Sequence, residues 1–89
     1  MDFEVQLTHT AQNELKRLPQ KVKRQVAHAL DRLGKDPRAG DPLHWQLKGY
    51  RSYHTGEYRI VYEIDDDKKM VRVSHIKHRK DVYREMQRS

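Results

Sequence analysis

The chain has 89 residues, enough for one small domain over 1–89 and too few for two. It contains no cysteine, which excludes a disulfide scaffold, a Cys-built structural zinc site and a thiol nucleophile. Lys and Arg outnumber Asp and Glu by 19 to 13, giving +6, a balance that suits a polyanionic partner such as nucleic acid or an acidic protein segment, or else serves solubility alone. No apolar run exceeds Ile60-Val61-Tyr62, so a transmembrane helix and a signal-peptide core are excluded and a cytoplasmic location is expected.

Residues 2–7 alternate polar and apolar side chains, the pattern of a half-buried strand. Thr8 or Thr10 can cap a following helix in which Ala11, Leu15 and Leu18 share a face. Pro19 ends that helix and suits the start of the next. There Val22, Val26, Ala29, Leu30 and Leu33 form an apolar stripe, and Gly34 is placed to cap the end. Proline and glycine make 36–42 a loop.

Beyond the loop the period becomes two. Strands are expected over 50–54, 57–64 and 69–76, with turns at 55–57 and 65–68, and a short helix over 80–87. The order β-α-α-β-β-β-α predicts an α+β fold, a helical hairpin on a mainly antiparallel four-stranded sheet. If Tyr58, Ile60, Tyr62 and Ile64 face the helices, Arg59, Val61 and Glu63 face away. Either Arg51 with Tyr53, or Ser52 with His54, joins them there. Arg79 and Tyr83 follow the last strand and can reach the same surface, so Arg, His and Tyr, the side chains that grip phosphates and stack on bases, are expected to converge.

Three segments carry a family resemblance: Leu47-Lys48-Gly49, the run 52–64 centred on Gly56-Glu57-Tyr58-Arg59-Ile60-Val61-Tyr62, and 75–83 with His78-Arg79-Lys80-Asp81-Val82-Tyr83. They resemble the RelE toxins of the RelE/ParE superfamily, the toxin halves of bacterial and archaeal toxin–antitoxin pairs. The first half agrees in outline. The resemblance implies a ribosome-dependent endoribonuclease (an mRNA interferase) that cuts the codon in the ribosomal A site. It also implies a RelB-like antitoxin that wraps the toxin, and a toxin–antitoxin complex that binds operator DNA. By motif, Arg59 matches the strand arginine after the Gly-x-Tyr turn, Arg79 the arginine after the last strand, and Tyr83 the C-terminal tyrosine. Arg51 and His54 stand where the family usually supplies further Lys or Arg.

The chemistry gives these residues tasks. Metal-free RNA cleavage needs a deprotonated 2′-OH, in-line attack, neutralised phosphoryl oxygens and a proton for the 5′-oxygen. Arg59 and Arg79 suit neutralisation, because a guanidinium meets two oxygens and stays charged. His54, and then His78, are the acid–base candidates by intrinsic pKa, while Tyr83 serves as base or as a stacking platform. Lys48, Arg51 and Lys77 would hold the RNA backbone, and no cofactor or metal is expected.

Other features read as ordinary. His75 and His78 are spaced like a metal pair but lack a third ligand, Trp45 and Leu47 are expected to fill a core beneath the loop, and Asp65-Asp66-Asp67 is a solvated turn. Two rival functions remain: a ParE-like poison of DNA gyrase, and an inactive toxin fold that only binds antitoxin. Expression would arrest translation for the nuclease and replication for the gyrase poison, and would be harmless for the inactive fold.

Overall fold

In the computed structural model, which describes residues 2–81, the alternating N-terminal segment forms β1 (Glu4–Leu7). The Thr8 hydroxyl caps the helix after it, accepting from the Ala11 amide at 3.2 Å, so that α1 runs His9–Lys16. Pro19 stands at the start of α2 (Gln20–Lys35). Three further strands follow, β3 (Arg51–Thr55), β4 (Tyr58–Asp65) and β5 (Met70–His78). The fold is α+β, as the order of elements predicts.

Among the described residues the sheet has five strands rather than four, in the order β1-β5-β4-β3 with one more on the far edge of β3. The extra one is β2 (Asp41–Pro42), a two-residue edge inside the expected loop, paired antiparallel with β3. An edge is where a proline can join a sheet, since it has no N–H to donate. Among the described strands only β1 runs parallel to its neighbour, β5.

The core lies between the helices and one sheet face. Ala11 of α1 and Val26, Ala29 and Leu33 of α2 meet Ile60, Tyr62, Val71, Val73 and Ile76, each at most 5% exposed. Fully burying each Val, Leu or Ile among them contributes about 1.5–3 kcal/mol. Gly34 departs from expectation: it lies within α2, and Asp36 is the C-cap. A side chain there would meet the Phe3 carbonyl at 3.1 Å, so its role is to let β1 approach, and the Phe3 amide donates to the Gly34 carbonyl at 2.7 Å.

One irregularity re-aims a strand. Tyr62 pairs with Val73 but Val61 pairs with His75, leaving Ser74 as an extra residue in β5. Strict alternation would put His75 and Lys77 on the core face with Val71 and Val73. The bulge instead turns Ile76 inward and places His75 and Lys77 on the face opposite the core, at the edge of β5 that Glu14 of α1 reaches.

Trp45 also departs from expectation. It does not fill a core: it is 93% exposed, in a 3-10 turn (Trp45–Leu47), with a left-handed φ of 63°. Residues 79–81 adopt helical form, whereas the rest of the expected helix over 80–87, with Tyr83, lies outside the described residues. Among the described residues no helix is long and apolar enough to cross a membrane.

Candidate active site and nucleic-acid interface

Strand register assembles the site. His54 pairs with Arg59, and Arg59 pairs with Lys77, so the three stand side by side across β3, β4 and β5. Directly paired residues point to the same face with Cβ atoms about 5 Å apart. The choice left open for β3 is thereby resolved in favour of Ser52 with His54. The next rung is Ser52, Val61 and His75, of which Ser52 and Val61 are buried.

Arg59 is the centre of this row. Its Nε is buried and has no hydrogen-bond partner, and among the described residues no carboxylate pairs with its guanidinium. A buried donor on a permanent cation is costly to leave unmet, so the position suits an incoming anion. His54 is exposed beside it. Lys77 is half-buried, with its ammonium 2.8 Å from a Glu14 carboxylate oxygen.

Arg79 continues the line. It follows Lys77 by two residues, and its amide donates to the Glu57 carbonyl at 2.8 Å. Its guanidinium forms an exposed ion pair with the Glu57 carboxylate at 2.9 Å. Such a pair contributes little, at most about 1 kcal/mol, so a phosphate can take the carboxylate's place.

Three expected site residues stand apart. Arg51 pairs with Tyr62 and so lies on the helix side. There its Nε and one terminal nitrogen donate to the Gly40 carbonyl at 3.1 and 2.9 Å, and that terminal nitrogen reaches the Arg38 carbonyl at 3.4 Å. The Tyr62 hydroxyl secures the same segment, donating to Pro37 at 2.6 Å and accepting from the Gly40 amide at 3.0 Å. Burial raises the Tyr62 phenol above its ordinary pKa, opposed by the Gly40 hydrogen bond and by Arg51. His78 pairs with Tyr58, its ring edge-on to the tyrosine at 5.5 Å, and its Nδ1 accepts from the Lys80 amide at 3.2 Å. Lys48 is exposed and precedes β3, whereas His54 lies near that strand's other end.

Sequence reasoning passed over Glu14 and weighed His75 only as half of a metal pair with His78. The Glu14 carboxylate accepts from the Ile76 amide at 2.9 Å and lies 3.5 Å from His75 Nδ1. A signal was present: Glu14 interrupts the apolar stripe Ala11, Leu15, Leu18 at a position where a helix buries side chains. Among the described residues no group of three or more His, Cys, Asp or Glu could hold a metal ion.

Fold and row together define a small basic α+β domain with an anion-ready sheet face, and comparison with known proteins supplies its class. The family described as ParE toxin of type II toxin–antitoxin system matches residues 5–83. Toxin RelG of Mycobacterium tuberculosis is 37% identical over 86 residues, covering 94% of this chain and 99% of that protein. Toxin RelE of the same organism is 39% identical over 84 residues, covering 92% and 87%. The toxin–antitoxin complex RelBE2 from M. tuberculosis superposes with a TM-score of 0.83 at 32% identity, covering 88% of this chain and 92% of that one. The intact Escherichia coli RelBE complex, 20% identical, shares the fold with a TM-score of 0.75 over 85% of this chain and 95% of that one. The chain belongs to the RelE/ParE superfamily and is a RelE-family toxin of a type II toxin–antitoxin system.

Proposed function

We propose that this toxin is a ribosome-dependent endoribonuclease that cleaves mRNA in the A site without a metal and so inhibits translation. The observation that carries the reading is the row His54–Arg59–Lys77 with an unpaired Arg59 Nε at its centre. In this reaction the 2′-oxygen loses its proton and bonds to phosphorus. The bond to the 5′-oxygen breaks and that oxygen takes a proton, leaving a 2′,3′-cyclic phosphate and a 5′-hydroxyl. Arg59, Lys77 and Arg79 neutralise the phosphoryl oxygens. His54 exchanges the proton, and Tyr83 stacks on a base or shares the proton transfer. Arg51 and His78, which the register sets beside Tyr62 and Tyr58, and Lys48, which precedes β3, stand outside this row.

A RelB-type antitoxin is the natural partner, because the similar solved structures include toxin–antitoxin complexes such as RelBE2, and a +6 domain suits an acidic wrapping segment. The antitoxin complex is expected to bind operator DNA, and the toxin to act in the cytoplasm. A second reading, poisoning of DNA gyrase, draws on the ParE name of the matching family.

The deciding experiment is in vitro translation of a defined mRNA with primer extension to map breaks. Cuts within A-site codons that need ribosomes and disappear in Arg59→Ala are the expected result. Intact mRNA with normal translation overturns the reading and directs attention to a gyrase cleavage assay.

A further inference from the structure

Glu14 is a carboxylate inside a basic site, and its contacts give it a task. β1 ends its pairing at Val73, and beyond that point α1 takes over the edge of β5. Thr8 meets the carbonyls of Val73 and Ser74, and Glu14 meets the Ile76 amide. One carboxylate oxygen therefore fixes the backbone next to Lys77, while the other lies 2.8 Å from the Lys77 ammonium and 3.5 Å from His75. Both side chains of the Glu14–Lys77 pair are less than a fifth exposed, so solvent screens it weakly. A lysine, unlike arginine, is a point charge on a flexible stem and needs an outside hold to stay beside a fixed phosphate site.

We infer that Glu14 is a positioning residue: it anchors Lys77 at the end of the Arg59 row, so that the row meets a phosphate with two cations already placed. The inference rests on the nuclease reading for its catalytic consequence and on the row alone for its effect on RNA binding. Simple electrostatics predicts the opposite sign, since deleting a negative charge from a basic surface should tighten RNA binding.

The test is a double-mutant cycle of wild type, Glu14→Gln, Lys77→Ala and the double variant. Glutamine keeps an acceptor for the Ile76 amide and removes the charge, and thermal melting checks that each variant is folded. Ribosome-bound mRNA cleavage and filter retention of a single-stranded RNA oligonucleotide at low salt are both read. The expected result is that Glu14→Gln lowers kcat about tenfold with KM nearly unchanged, weakens RNA retention, and does neither in the Lys77→Ala background. Wild-type kcat in a folded Glu14→Gln, an undiminished effect without Lys77, or tighter RNA retention in both backgrounds overturns the inference. If wild type leaves the message intact, the nuclease reading fails and the retention cycle alone decides: coupling supports the anchoring role, whereas additivity or no retention overturns it.

Discussion

Arg51 on β3 and Arg59 on β4 are carried by neighbouring strands, yet they meet opposite surroundings. Arg51 lies on the helix side, where the carbonyls of Gly40 and Arg38 receive its guanidinium. Arg59 lies on the other side, its Nε buried without an acceptor and a histidine and a lysine as its neighbours. The same side chain thus ties down a loop in one place and waits for an anion in the other. Residue type did not separate the two roles; strand register did.

The sharpest way to break this comparison is to delete Arg59. Arg59→Ala is expected to cut A-site cleavage by about 10²–10³-fold, the usual cost of removing one donor from a developing anionic charge. Its melting temperature should stay level or rise, because a buried unmet donor is removed. A variant that loses stability and keeps its cleavage rate would mean that Arg59 belongs to the architecture and not to the site.

Arg51→Ala should behave in the reverse manner. Loss of the part-buried hydrogen bonds from a charged group to the Gly40 carbonyl costs about 1.5–3 kcal/mol, to be read as a shift in urea midpoint, while cleavage per folded molecule stays within about twofold. Loss of cleavage at full stability would return Arg51 to the site.

The loop that Arg51 secures can be stressed from its own side. At Gly40 an added Cβ would meet the Tyr62 hydroxyl at 2.6 Å and the Ser52 carbonyl at 2.9 Å. One neighbour is backbone and the other is pinned by two hydrogen bonds, so neither can easily move. Gly40→Ala is expected to cost about 1–3 kcal/mol by overpacking, measured by thermal or urea unfolding. Wild-type stability would show that this segment is free to shift and that Arg51 holds it only loosely.

These contrasts also mark what sequence could deliver. The run Gly56-Glu57-Tyr58-Arg59 carried the turn and the arginine, and alternation placed Arg59 opposite Tyr58 and Ile60. The order of helices and strands was legible for the same reason: periods of 3.6 and 2 are local properties. Three things were not. A bulge at Ser74 depends on how β5 pairs, and without it Lys77 reads as a core-side residue. The fate of Arg51 depends on carbonyls of the segment before β2, which register alone brings beneath it. Glu14 reaches Ile76 across 62 positions, a contact that no window of local sequence contains. Trp45 shows a local rule failing outright, since its size argued for burial and its ring is exposed.

The smallest expected effect concerns the Tyr62 hydroxyl, which shares its loop with Arg51. Burial raises its pKa in the folded state above the reference of 10.0, despite the opposing pull of Gly40 and Arg51. In the unfolded chain the phenol ionises first, so above that reference the unfolded state binds fewer protons than the folded one and stability falls as pH rises. The contribution is complete below the unfolded pKa and is lost as pH climbs through the folded one. Urea unfolding of wild type and Tyr62→Phe between pH 8 and about pH 11 separates this slope from that of the other tyrosines and lysines. The phenylalanine variant should start less stable, having lost both loop hydrogen bonds, and should fall less steeply with pH. Equal slopes would mean that the phenol ionises as readily in the folded protein as in the unfolded chain, and that the helix side of the sheet is wetter than the Arg51–Tyr62 contacts imply.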